Sequence, residues 1–210
     1  ARVSQREVGT DTDTFHSALR HVVRQSPDVI LIGEMRDLDT MRVAISASLT
    51  GHLVFAPLHT IDVTQSLQRI LTYFPEHLRQ QASMDLSLSL RGIVSQRLLP
   101  RADGKGRALA LEMLLLSPAS SRLIRDGRTD ELQDFMKITA DPGVITFNNS
   151  LLQLFKQDQI SLEMGRTYAS NPEEFALATQ GMSTGTATFA RDTSLEGRSG
   201  LDMKILLEVA

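Results

Sequence analysis

The run Asp28-Val-Ile-Leu-Ile-Gly-Glu-Met-Arg-Asp37 constrains the fold more than any other stretch of this chain. An apolar segment from Val29 to Ile32, mostly β-branched, ends abruptly in Gly33, Glu34, Arg36 and Asp37. So short and unbroken an apolar run reads as a strand buried on both faces of a parallel sheet. Buried charge is costly without partners, so the charged residues that follow belong at the rim of that sheet. In open α/β sheets the rim is where ligands bind. Taken alone, the segment reads equally well as a core strand running into a solvated turn.

The next segment favours the rim. Between Asp39 and Leu49, the residues Met41, Ala44, Ile45, Ser48 and Leu49 recur at helical spacing, and Gly51 ends the helix. A second apolar strand follows, His52-Leu-Val-Phe-Ala-Pro-Leu-His-Thr60, with a histidine near each end. Strand, helix, strand is a βαβ unit, which makes the two strands parallel with a right-handed crossover. Parallel strands bring their C-terminal ends to one rim. Glu34, Arg36 and Asp37 therefore gather with His59 and Thr60, while His52 lies at the opposite end, roughly 20 Å away at the rise of a strand. Pro57 removes a ladder donor, so the second strand must bulge or end early near it.

These residues resemble a known family. Gln25 to Asp37 is similar to the Walker B segment of the secretion and pilus traffic ATPases, and Gly51 to Thr60 to their His box. Upstream, Gln5 to Phe15 and Ala18 to Arg24 are similar to the stretch that precedes Walker B. Downstream, Leu90 to Leu99, Asp103 to Arg107, and Pro118-Ala119 followed by Leu123-Ile-Arg125 resemble the pilus-retraction (PilT/PilU-like) branch. The likeness covers roughly residues 3 to 170.

The sequence contains no G-x-x-x-x-G-K-[ST] loop to cradle phosphates, and no acidic Asp box of the family. It begins with Ala1, already inside the pattern. The expectation is the C-terminal portion of a longer ATPase, holding half of an active site and inactive as a fragment. The resemblance implies the C-terminal half of a RecA-like P-loop core, a mainly parallel sheet with an antiparallel hairpin, over residues 1–117. A small helical domain over 118–180 would follow, then a flexible linker and short apolar tail over 181–210.

Composition enters where it excludes. A net charge of −3 gives no nucleic-acid footprint. No apolar run approaches a membrane span, and the N-terminus does not read as a signal peptide. The 210 residues contain no cysteine, which excludes disulfides and accords with a cytosolic setting. It also excludes the paired C-x-x-C zinc site typical of the extension and secretion ATPases of this group, which favours the retraction branch.

Along the chain, Asp13 or Thr14 can cap a helix whose apolar stripe is Phe15, Leu19, Val22 and Val23, with Arg20 and Arg24 off the stripe. A helix from about Val63 to Phe74 shows Leu67, Ile70, Leu71 and Phe74. After Pro75 a longer one is expected with Leu78, Ala82, Leu86, Leu90 and Ile93 inward. Strands near 94–99 and 108–116 flank the turn Asp103-Gly-Lys-Gly106 and are expected as antiparallel edge strands. The stripe Phe147, Leu151, Leu154 and Phe155 reads as core packing. Residues 181–200, rich in Gly, Ser and Thr, read as a linker, and Leu201 to Leu207 as an apolar tail able to dock on the body or on a neighbour.

The resemblance assigns roles. Glu34, set at the strand end by the Gly33 turn, would orient or deprotonate the attacking water, and His59 would sense the γ-phosphate by donating a hydrogen bond. Gly33, Arg36, Asp37, His52 and Thr60 would support the nucleotide site, with Arg36 and Asp37 as a charge pair fixing the loop and His52 structural. Leu123, Ile124, Arg125 and Asp126 are the retraction-motif residues. Ser120-Ser121 departs from the family's Ile-Arg there and loses a basic side chain, and Ala56-Pro57 stands where Gly-Thr is usual. The implied cofactors are ATP and Mg2+, with magnesium held through ATP and the phosphate loop rather than directly. The implied partners are five further copies in a homo-hexameric ring, the inner-membrane pilus platform protein and a paralogous pilus ATPase. Neither nucleic acid nor zinc is expected. The implied location is the cytoplasmic face of the inner membrane. A secretion or DNA-transfer ATPase and a catalytically silent accessory subunit stay open beside the retraction motor.

Overall fold

A computed structural model of the chain describes residues 3–182 and the backbone of a strand at Ile205–Val209. The fold is α/β. Its sheet has the order β1-β2-β6-β3-β4-β5. β1 (Val29–Leu31) and β2 (Leu53–Phe55) pair in parallel, Val29 opposite Leu53 and Leu31 opposite Phe55, and α2 (Leu38–Leu49) connects them. This is the βαβ unit read from the sequence. β2 stops at Phe55, immediately before Ala56-Pro57, so the proline ends the strand early. Gly51, at φ +100°, turns the chain out of α2, a conformation open to glycine at little cost.

One expectation for β1 fails. Only Ile30 of its three residues is buried; Val29 and Leu31 are 49 % and 76 % exposed. The strand is the outermost of the sheet, and the core of Ile30, Ile32, Met41, Ala44, Ile45 and Val54 lies on one face of it.

α1 (Phe15–Val23) is capped by Thr14, whose hydroxyl accepts from Ser17 N, and it buries Leu19 while Arg20 and Arg24 stay exposed. α3 (Val63–Thr72) buries Val63, Leu67 and Ile70. α4 (Glu76–Ser89) ends sooner than its apolar spacing suggests: Leu90 and Ile93 belong to β3 (Leu90–Pro100), not to the helix. They are buried all the same, because the inward positions of helix and strand fall in register across the junction. β3 pairs antiparallel with β4 (Arg107–Leu115) across the glycine turn. The hairpin is not at the edge as expected. β5 (Val144–Ile145) pairs outside β4, and β6 (Ile205–Val209) runs parallel between β2 and β3. Part of the expected tail therefore enters the sheet, while the expected linker lies almost wholly outside the described residues.

Two apolar clusters form. The first joins β1, β2, α2, α3 and α4 and also takes in Ile124 of α5 (Pro118–Arg125) and Leu132 and Met136 of α6 (Leu132–Ile138). The second packs Phe147, Leu151 and Leu152 of α7 (Phe147–Lys156), Ile160 and Phe175 against Leu99, Ala108 and Ala110 of the hairpin. Phe175 lies on α9 (Pro172–Thr179), which packs with α8 (Leu162–Tyr168). No described helix is long and apolar enough to cross a membrane.

Candidate functional site

Strand direction places the site. Because β1 and β2 are parallel and in register, the residues after Leu31 and Phe55 emerge on the same rim; Ile32 N donates to Phe55 O (2.9 Å), which holds the two exits together. Gly33, Glu34, Arg36 and Asp37 leave from β1, and His59 and Thr60 follow the buried Ala56 and Leu58 after β2.

Within the first group, Arg36 Nε donates to Glu34 Oε2 at 2.8 Å, with the two side chains 73 % and 35 % exposed. Asp37 does something else. It is the N-cap of α2, its Oδ1 accepting from Thr40 N (2.7 Å) and its Oδ2 from the Thr40 hydroxyl (2.7 Å). The expected Arg36–Asp37 pair is thus replaced by Arg36–Glu34, because the helix start claims the Asp37 carboxylate. The Thr40 amide hydrogen bond holds Asp37 below its ordinary carboxylate range, burial opposing.

In the second group His59 is exposed and Thr60 partly buried. Ser66 Oγ donates to Asp62 O (2.7 Å), so Thr60 Oγ1 is the donor in its 2.7 Å contact with Ser66 Oγ. That chain of hydroxyls fastens the loop onto the first turn of α3. His52 is elsewhere. It immediately precedes β2 at the far end, and its Nδ1 lies 3.0 Å from Ala47 O and 3.3 Å from Thr50 Oγ1, closing the last turn of α2.

The retraction-motif residues divide in two. Ile124 is fully buried and Leu123 packs on the first cluster, whereas Arg125 Nε donates to the exposed Asp126 at 3.1 Å. Ser120, which departs from the family pattern, has a structural use: with Ser117 it forms a reciprocal capping box that starts α5.

The rim carries a carboxylate, an imidazole and a hydroxyl, which suits it to aligning a water against an electrophile. Among the described residues no three His, Asp or Glu side chains gather to hold a metal by themselves. With the Asp37 carboxylate taken up by the α2 cap and Glu34 paired with Arg36, the rim fits magnesium of the kind held chiefly by phosphate oxygens.

The sequence reading missed Arg97 and Glu112. A carboxylate inside the apolar run Leu109-Ala-Leu-Glu-Met-Leu-Leu115 was the available signal. Glu112 is 6 % exposed; its Oε1 accepts from Val63 N (3.0 Å) and its Oε2 from Phe147 N (3.4 Å). Burial raises the Glu112 carboxyl above its ordinary range, the Val63 hydrogen bond opposing.

A parallel βαβ unit with an acidic residue and a histidine on its C-terminal rim defines the class of an α/β protein with a strand-end rim site, and comparison with known proteins narrows it. The profile of the family described as "Type II/IV secretion system protein" matches residues 2–140, and the chain belongs to this family, in its pilus-retraction ATPase branch. The type IV pilus ATPase PilU of Pseudomonas aeruginosa is 45 % identical over 175 residues, covering 83 % of this chain and 46 % of that protein. The type IV pilus retraction ATPase PilT of the same organism is 39 % identical over 173 residues, 82 % of this chain and 50 % of that protein. A crystal structure of the pilus retraction motor PilT with bound ADP superposes with a TM-score of 0.73 at 43 % identity, covering 82 % of this chain and 48 % of that one. The chain spans about half the length of the relatives it matches.

Proposed function

We propose that these residues are the C-terminal portion of an ATP-hydrolysing motor that powers type IV pilus retraction. The observation that supports this best is the shared rim of Glu34 and His59, at the ends of two parallel strands in a chain similar to PilU and PilT. In this reading Glu34, steadied by Arg36, orients and deprotonates the water that attacks the γ-phosphate, and His59 donates a hydrogen bond to the phosphate oxygens. The phosphates themselves would be cradled by an upstream glycine-rich loop. Bound ATP with Mg2+ supplies the electrophile and charge neutralisation. Residues 1–117 serve as part of the RecA-like core, 118–180 as a helical domain and 181–210 as linker and tail. The intact protein works as a ring hexamer on the pilus platform protein at the cytoplasmic face of the inner membrane, with a paralogous ATPase as a further partner. The 45 % identity to PilU favours a PilU-like role within that system.

The deciding experiment is Glu34→Gln in the longer protein with its phosphate loop. The change keeps shape and removes the base. Turnover is expected to fall by about 10²–10⁴ with nucleotide binding retained. Near-normal turnover would refute the assignment.

A further inference from the structure

We propose that the half-buried Arg97 and the buried Glu112 form a latch through which the C-terminal helices position the His59–Asp62 loop. The proposal rests on the rim reading above for the importance of His59, but the latch itself is drawn from geometry alone.

The two residues face the same seam. The ladder sets Ser95 opposite Glu112, and Arg97 two positions along β3 on the same side of the hairpin. Each reaches both ways out of it. Glu112 accepts from the first amide of α3 with one oxygen and from the first amide of α7 with the other. Arg97 Nη2 donates to Ile61 O (3.4 Å) in the histidine loop, and Nη1 donates to Tyr168 O (2.6 Å) at the end of α8. Its guanidinium also lies 3.7 Å over the Phe147 ring. The loop two residues after His59 and the second apolar cluster are therefore joined through two charged side chains, not only through packing.

The chemistry suits a coupling rather than a stability role. A buried carboxylate that satisfies two backbone groups, as Glu112 does, is weak as a source of stability yet costly to leave half-paired. Moving α7 and α8 away from the hairpin would strip one partner from each of Arg97 and Glu112 at once. The loop would then have to follow or the latch open. A planar guanidinium can hold two carbonyls in fixed directions, which an ammonium cannot. The structure thus makes the placement of the His59 loop depend on the seating of helices distant from the rim.

The test uses Glu112→Gln and Arg97→Lys, with Ile160→Val as a control that loosens the second cluster without touching the latch. Amide hydrogen exchange is measured residue by residue on the full chain. Both latch variants are expected to speed exchange at Val63 and at Phe147 together, by about tenfold relative to the control: Glu112→Gln by weakening its own bonds to the two amides, Arg97→Lys by loosening the seam on both sides of them. Arg97→Lys is the sharper arm, since Arg97 bonds neither amide. Exchange rising on one side only, or uniformly as in the control, overturns the latch. In the ATPase carrying these residues, Arg97→Lys is expected to lower kcat with KM for ATP nearly unchanged. An unchanged kcat beside linked exchange overturns the positioning role. Failure of the rim reading is separate: it would appear as normal turnover in Glu34→Gln, with the exchange result intact.

Discussion

Asp37 shows how a residue at the rim divides its work between structure and chemistry. Its carboxyl is held below the ordinary value of 3.8 by the Thr40 amide, against burial. A depressed folded-state value means stability present above 3.8 and lost as pH falls through the folded value. Asp37→Asn keeps the cap but loses the charge at the α2 N-terminus, so it should cost about 0.5 kcal/mol at neutral pH. Paired thermal melts should show that gap narrowing as pH falls below 3.8 and through the lowered folded value; a gap constant with pH would contradict it. The two histidines diverge for reasons of place. His59→Ala is expected to lower turnover in the longer ATPase with little change in melting, since an exposed side chain contributes little packing. His52→Ala removes the hydrogen bond to Ala47 O at the end of α2 and should cost about 1 kcal/mol with turnover changed less. ATPase rates and melts measured on both variants check this, and the reverse pattern would dismiss the shared rim.

Among elements, the legibility of the sequence followed the strength of local signals. The β1–α2–β2 unit was readable because apolar runs, helical spacing and Gly51 agreed. The α4–β3 junction was not, because Leu86, Leu90 and Ile93 continue a helical spacing although the chain becomes extended at Leu90. Pairing with β4 and β6 decides that change, and pairing partners leave no mark in a local window. The Arg36–Asp37 expectation failed in the same way, since capping of α2 competes for the carboxylate. Glu112 was legible as an anomaly but not as a junction. In α8, Gly165 illustrates tertiary packing overriding propensity. Alanine would favour the helix by about 1 kcal/mol. A Cβ there would collide with the buried Phe175 ring, and such overpacking costs about 1–3 kcal/mol. Gly165→Ala should therefore lower the melting temperature, and a rise would show that Phe175 moves freely.

For the molecule as a whole, the rim presents groups for a reacting water, but the 210 residues contain no G-x-x-x-x-G-K-[ST] loop to cradle phosphates. Purified as it stands, the chain is expected to bind ATP too weakly to detect at micromolar concentration. Titration with a fluorescent ATP analogue measures this, and micromolar binding would show that the rim captures nucleotide unaided. The place of β6 has a consequence for the order of assembly. It joins β2 to β3, yet Phe55 and its partner Leu206 are ~150 residues apart in the chain. Contacts that close so long a loop form late and slowly. As the chain emerges from the ribosome, β1–β2 and the hairpin must wait as two separate pieces, each with an open strand edge. The sheet is closed from its middle, and during that interval the two open edges are the surfaces most exposed to mispairing with other chains.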